Sequence, residues 1–136
     1  MLRTFSALGL AALLAGTLLG CKKHCADPQP ACYSGAVVAS TCMLGMLVDV
    51  DPAYPIGAKA YSVYGNRFLG NNVVAVSNTG SLPRLNRVGQ RLHFTYTSAQ
   101  TNPGMVCLAA DGTTTPVPFV TLSNVSTLSC DSVQAR

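Results

Sequence analysis

The stretch RLHFTYT, residues 91–97, has the most regular alternation of apolar and polar side chains in the chain. Leu92, Phe94 and Tyr96 share one parity. Successive side chains of a β-strand point to opposite faces, so this spacing predicts a strand with one buried and one exposed face. The residues predicted to point outward are Arg91, His93 and Thr95.

Short apolar stretches alternate with turn-forming residues on both sides of this strand. The other stretches predicted as strands are GAVVASTC (35–42), GMLVDV (45–50), AYSVYG (60–65), GNNVVAVS (70–77), MVCLA (105–109) and PFVTLSNVSTLSC (118–130). Only 10% of the residues are charged, and Glu and Trp are absent. Five to seven strands with no convincing helix predict an all-β domain, either a barrel or a sandwich.

The last predicted strand contains a change of parity. Val120 and Leu122 would share one face, but Val125 falls on the other. An extra residue in one strand restores such a pattern, so we expect a β-bulge near Ser123 or Asn124.

The order of these short strands, with VGQRLHFTY opening a long strand after a loop, resembles the small OB-like barrels of some exported bacterial lipoproteins. The resemblance covers residues 35–130 and rests on pattern. It implies a barrel of the type that binds oligonucleotides or oligosaccharides on one face and its loops. An immunoglobulin-like sandwich is the alternative, although the Trp usual in its core is missing.

The N-terminus has the features of an export signal. Arg3 is the only charged residue before Lys22, and residues 5–20 are mostly Ala, Leu and Gly. A basic start followed by a short apolar run is typical of a secretory signal peptide. A permanent membrane anchor is the alternative, but it needs about 20 apolar residues.

The end of the apolar run is more specific. Leu18-Leu19-Gly20-Cys21 resembles the lipobox of bacterial lipoproteins. The resemblance implies cleavage between Gly20 and Cys21, a diacylglycerol on the Cys21 thiol and an acyl chain on its new α-amine. Several acyl chains would hold the protein on a membrane permanently, because each buried methylene adds about 0.8 kcal/mol. An ordinary cleaved signal followed by a chance cysteine is the alternative.

The residues after Cys21 bear on the compartment. In lipoproteins of the enteric type an Asp after the cysteine retains the protein at the inner membrane, and here that position is Lys22. No acidic residue of the kind that marks surface export occurs before Asp27. The resemblance therefore implies an outer-membrane protein that is lipid-anchored and faces the periplasm.

We divide the chain into four parts on this basis. They are a lipoprotein signal peptide (1–20), a lipidated tether (21–33), a β-barrel domain (34–131) and a C-terminal tail (132–136). Loss of Arg3 with the signal leaves eight basic and five acidic residues, a net charge of about +3.

The remaining cysteines fit an oxidising compartment, where disulfides form and persist. The candidates are Cys25, Cys32, Cys42, Cys107 and Cys130. Five is odd, so at least one stays outside an intrachain pair, and spacing does not fix the connectivity. We expect Cys42 to pair with either Cys107 or Cys130, and Cys25 with Cys32 to close a small loop.

The tether also raises a metal hypothesis, because His24 and Cys25 precede Cys32. Structural zinc sites usually contain closely spaced cysteine pairs, whereas Cys25 and Cys32 are separated by six residues with two prolines. We therefore predict a tether with no metal, and no cofactor apart from the covalent lipid.

Two sets of residues suggest binding or modification. Arg84, Arg87 and Arg91 form a basic cluster that could bind a polyanion, although a solvated loop is the simpler explanation. Nucleic acid is excluded as a partner by the envelope location. DSV (131–133) resembles the acceptor of an O-glycosylation system of some Gram-negative bacteria, which would place a glycan on Ser132.

Catalytic motifs are missing, since the chain has no Glu pair and no G-x-S-x-G. No catalytic residue is predicted. The sequence therefore favours an envelope lipoprotein of unknown specific activity, acting as a structural or ligand-binding module with a glycan or protein partner. The alternative is an envelope thiol or Cys/His enzyme, in which His93 would pair with a cysteine.

Overall fold

The computed structural model describes residues 32–100, 107–108 and 110–134. The six strands are β1 (Tyr33–Thr41), β2 (Gly45–Val50), β3 (Ala58–Tyr61), β4 (Phe68–Val76), β5 (Arg91–Ala99) and β6 (Phe119–Ser126). A 3₁₀ turn (Thr79–Ser81) follows β4, and a short helix α1 (Asp131–Gln134) follows β6. Within the described ranges, neither helix has the length and apolar character that crossing a bilayer requires.

Five of the strands close into a barrel in the order β1-β2-β4-β6-β5 and back to β1. β4 and β6 run parallel, and the other neighbours are antiparallel. β3 is the extra strand and pairs with β4. This arrangement confirms the predicted small OB-like barrel and excludes the immunoglobulin-like sandwich, because one sheet closes on itself.

The barrel interior is filled by alternate residues of all five barrel strands. β5 contributes Leu92 and Phe94, which are fully buried, and Tyr96 packs against them. The other buried members are Tyr33, Val37, Met46, Val48, Val50, Val74, Val76, Val120 and Leu122. The alternation in 91–97 therefore places side chains as predicted, although His93 on the outer side is half-buried.

A second, smaller core covers the outer face of β2 and β4. It contains Leu47 of β2 together with Val73 and Ala75 of β4, all fully buried. Val117, from the segment before β6, packs on them from outside. Both faces of β2 are thus buried, which explains why its sequence is almost continuously apolar.

Several predicted boundaries and one predicted strand differ from the structure. β1 begins at Tyr33, two residues before the predicted start, and β3 ends at Tyr61, before a turn in which Gly65 and Asn66 have positive φ. The strand predicted over 105–109 is wrong at Cys107 and Leu108, which lie outside any strand.

The predicted bulge in β6 is confirmed. His93 and Thr95 of β5 oppose Ser126 and Ser123, so two steps along β5 match three along β6. Asn124 takes up the extra residue with a φ of 50°. Asparagine tolerates this left-handed conformation better than most residues.

Asn72 of β4 fixes the long loop after β2. Its side chain is buried, its Oδ1 accepts a bond from the Gly57 amide, and its Nδ2 donates to the carbonyls of Val50, Asp51 and Tyr54. Gly57 lies so close to this strand that an added Cβ would come within 2.5 Å of the Asn72 backbone. The proline-bearing loop 51–57 is therefore fastened to the sheet.

Candidate binding groove

The loop between β1 and β2 is covalently joined to the connection between β5 and β6. Cys42 of the first forms a disulfide with Cys107 of the second. The prediction that Cys42 pairs with Cys107 or Cys130 is thereby confirmed, although Cys107 is not in the strand expected for it. In OB-like barrels these two loops flank the face that binds ligands.

Asp111 joins the same two loops a second time. Its carboxylate accepts hydrogen bonds from the backbone amides of Cys42, at 2.7 Å, and Met43, at 3.0 Å. These bonds favour the ionised form and lower the pKa of Asp111 below its ordinary value. The bond to Met43 also orients the hairpin loop, so its position is set by both the sulfur bridge and the carboxylate.

An apolar groove of about 510 Å³ opens between these loops. Its floor is formed by Val117 and Phe119, next to the outer core, and its walls include Leu44 and the half-exposed Met43 and Val63. The remaining lining residues are Ala110, Gly112, Thr113, Thr114 and Pro116. This volume falls in the range of about 300–1,000 Å³ that suits small-molecule ligands.

The backbone beside the groove is already hydrogen-bonded. Val63 donates its amide to the carbonyl of Gly112, and Thr114 donates its amide to the carbonyl of Tyr61. The hydroxyl of Thr115 donates to the carbonyl of Lys59. Because β3 is paired along this edge, the groove favours an apolar body over a peptide that adds as another strand.

The groove opens at the end of the barrel opposite the point where the chain enters it. β1 starts at Tyr33 and leads to the hairpin loop at its far end. Nine residues of strand span about 30 Å. A ligand in the groove is therefore remote from the Cys32 end of the domain.

The basic cluster predicted from the sequence lies elsewhere. Arg84, Arg87 and Arg91 are all exposed, and none of them lines the groove. Arg91 is the first residue of β5, and the loop that carries Arg84 and Arg87 runs alongside β1, where Gly89 donates its amide to the carbonyl of Val37.

The second disulfide joins the two ends of the domain. Cys32 pairs with Cys130, so the predicted Cys25–Cys32 bridge is wrong. Cys32 directly precedes β1, and Cys130 follows β6. Because β1 and β6 both pair with β5, the segments that carry the two cysteines lie close together. His93 of β5 lies against this bridge, with its Nδ1 3.7 Å from Cys130 Sγ and 2.8 Å from the Ser34 hydroxyl.

The remaining predicted sites divide into two groups. Ser132 lies in α1, where its partly buried hydroxyl donates to the carbonyl of Ser129 and hydrogen-bonds Ser126. A glycan on Ser132 would have to replace these bonds. Gly20, Cys21 and Cys25 lie outside the described residues.

Comparisons of the chain with protein-family models, curated proteins and solved structures found no match. Sequence reasoning missed the groove because residues 110–117 have no strand periodicity. The signal in the sequence was the pair of cysteines, because Cys42 lies in one of the two loops that form the groove and Cys107 lies in the other.

Proposed function

We propose that this chain is a lipid-anchored lipoprotein of the bacterial outer membrane, facing the periplasm, whose barrel binds a small apolar ligand. The observation that carries the binding role is the apolar groove held between two cross-linked loops. The anchor rests on Leu18-Leu19-Gly20-Cys21, with a diacylglycerol and an N-acyl chain on Cys21.

Rigid loops favour binding because little conformational entropy is lost when the ligand enters. The disulfide and the Asp111 carboxylate both restrict the hairpin loop before any ligand arrives. The two intrachain disulfides also support an oxidising compartment, as expected outside the cytoplasm.

The residues that line the groove favour an apolar ligand over a glycan or a polyanion. Val117, Phe119 and Leu44 supply apolar contacts, and the Thr113 hydroxyl is already used in a bond to the carbonyl of Thr115. A glycan or polyanion would need several free donors. A compact apolar molecule fits this surface better. The groove is remote from the Cys32 end of the domain, where the proposed anchor would attach, and this supports a ligand that comes from the periplasm.

Dye binding tests the groove. The neutral apolar dye N-phenyl-1-naphthylamine should bind saturably to the protein, with one site per chain. Val63→Asn places an amide in the groove and should weaken dye binding roughly tenfold, equivalent to about 1.4 kcal/mol. The matched control is Val88→Asn, because Val88 is also exposed but lies outside the groove.

Two outcomes would overturn the binding role: no saturable dye binding, or equal effects of the two valine substitutions. The anchor is tested separately by cell fractionation. The protein should remain with membranes after a high-salt wash, and Cys21→Ser should release it or leave it unprocessed. Salt extraction of the unaltered protein would contradict a lipid anchor.

A further inference from the structure

We propose that the Cys32–Cys130 bridge and His93 form a redox-gated zinc site. One ligand atom from each of Cys32, His93 and Cys130 lies within 4.8 Å of the other two. Zinc is commonly bound by such a combination of thiolate and imidazole groups. The site is separate from the groove, which contains none of these residues.

The spacing of Cys130 Sγ and His93 Nδ1 suits a tetrahedral ion. Zn–S bonds of about 2.3 Å and Zn–N bonds of about 2.0–2.1 Å place sulfur and nitrogen roughly 3.5 Å apart at a tetrahedral angle. Cys130 Sγ and His93 Nδ1 are 3.7 Å apart. A small adjustment therefore brings these two atoms to one metal ion. The sulfurs of Cys32 and Cys130 are bonded to each other in the bridge and must also move apart after reduction, to roughly 3.8 Å for two Zn–S bonds of about 2.3 Å.

The surroundings also favour binding. Cys32 is buried, and His93 and Cys130 are half-buried, so the ion would be partly shielded from water. The Ser34 hydroxyl hydrogen-bonds His93 Nδ1, which holds the ring with that nitrogen on the side of the sulfurs in the oxidised protein; this bond breaks when the Nδ1 lone pair binds the metal. The fourth position is left for water, as in zinc sites with three protein ligands.

The oxidation state of the sulfurs controls the site. A dithiol reductant gives two electrons to the Cys32–Cys130 bond, which breaks, and two protons pass to the sulfurs while the reductant becomes a disulfide. Zn²⁺ then displaces both thiol protons to solvent and accepts lone pairs from the two thiolates and from His93 Nδ1. In the reverse exchange a disulfide of the same chemical class takes two electrons from the thiolates and two protons from solvent, becomes a dithiol, and restores the Cys32–Cys130 bond, which releases the ion.

Metal titration tests this site. The full chain carrying Cys21→Ser and Cys25→Ser removes the other thiols outside the two bridges, and a phosphine reduces it without competing for metal. One Co²⁺ per chain should bind with a sulfur-to-cobalt charge-transfer band, and Zn²⁺ should displace it. The oxidised protein should show no band.

Substitutions locate the ligands. His93→Gln should weaken Co²⁺ binding at least tenfold, and replacing both Cys32 and Cys130 by Ser should abolish it. Replacing both Cys42 and Cys107 by Ser is the matched control and should leave the band in place. The proposal is overturned if His93→Gln binds normally, if the control pair abolishes binding, or if the reduced chain neither keeps its β circular dichroism nor regains it with Zn²⁺.

Discussion

The carboxylate of Asp111 accepts a hydrogen bond from the backbone amide of Cys42 at 2.7 Å. Asp111 lies four residues after Cys107, the cysteine that forms a disulfide with Cys42. A covalent and an electrostatic contact thus converge on one hairpin loop. This double attachment holds the loops on either side of the groove at a fixed separation. It explains how a segment without strand structure can form one wall of a binding site.

The Asp111 contact predicts an acid-sensitive contribution to stability. Because the pKa of Asp111 is lowered in the folded protein, its contribution is present above the unfolded pKa, near 4, and is lost as pH falls through the folded value. Asp111→Asn should remove this part of the acid destabilisation. At pH 7 the urea midpoint of the unaltered protein should be higher than that of the variant, and the two midpoints should converge as the pH falls to 2. A difference between the midpoints that stays constant with pH would contradict the prediction.

The two disulfides should stabilise the fold by similar amounts. They close loops with sequence separations of 98 and 65 residues, and the loop-closure entropy grows only with the logarithm of length. Replacing either pair by serines should lower the free energy of unfolding by about 4 to 5 kcal/mol. Urea unfolding measures both values.

Dye binding should differ between the two variants in which one disulfide is replaced by serines. Loss of the Cys42–Cys107 bridge frees a wall of the groove and should weaken dye binding, whereas loss of Cys32–Cys130 should not. Equal weakening in both variants would show that the bridge near the groove has no local role.

Asn72 should be far more sensitive to substitution than its neighbour Asn71. Asn72→Ala leaves the Gly57 amide without its acceptor and three carbonyls without their donor. Unsatisfied buried groups cost about 1–3 kcal/mol each. Asp51 and Tyr54 are exposed, so water can hydrogen-bond their carbonyls, and the two remaining groups predict a loss of about 2 to 4 kcal/mol. Asn71→Ala, at an exposed position, should change the free energy of unfolding by under about 0.5 kcal/mol. Similar losses in the two variants would contradict this role.

Phe94 and Phe68 offer a second matched pair. Phe94 is fully buried in the barrel interior, whereas Phe68 is 49% exposed at the start of β4. Phe94→Ala should lower the free energy of unfolding by about 3 to 5 kcal/mol through lost burial and the cavity left behind. Phe68→Ala should cost under about 1.5 kcal/mol, measured by thermal or urea unfolding.

Strands with local periodicity could be predicted from the sequence, and contacts between distant segments could not. The inward side chains of β5 follow from alternation, and the bounds of β2 follow from a short apolar run that ends at the turn residues Asp51 and Pro52. The Cys32–Cys130 pairing depends on β1 and β6 flanking β5 on opposite sides, which no local pattern encodes. Leu108 is fully exposed and lies outside a strand, although its neighbours in sequence are apolar. It belongs to the connection that the Cys42–Cys107 bridge joins to the hairpin loop.

The groove and the cluster of His93 with Cys32 and Cys130 depend on contacts between distant segments, so they could not be predicted from local sequence patterns. Val63 and Val117 meet only because the segment before β6 folds back along β3. The sequence indicated that His93 could approach a cysteine, but only the barrel closure identifies Cys130 as that cysteine.

Mass spectrometry of the N-terminal peptide from the membrane fraction tests the lipid anchor most directly. We expect a mature chain that begins at Cys21, with a diacylglycerol thioether on its sulfur and an acyl chain on its α-amine. A chain that begins at another residue, or a Cys21 with an unmodified thiol, would contradict it.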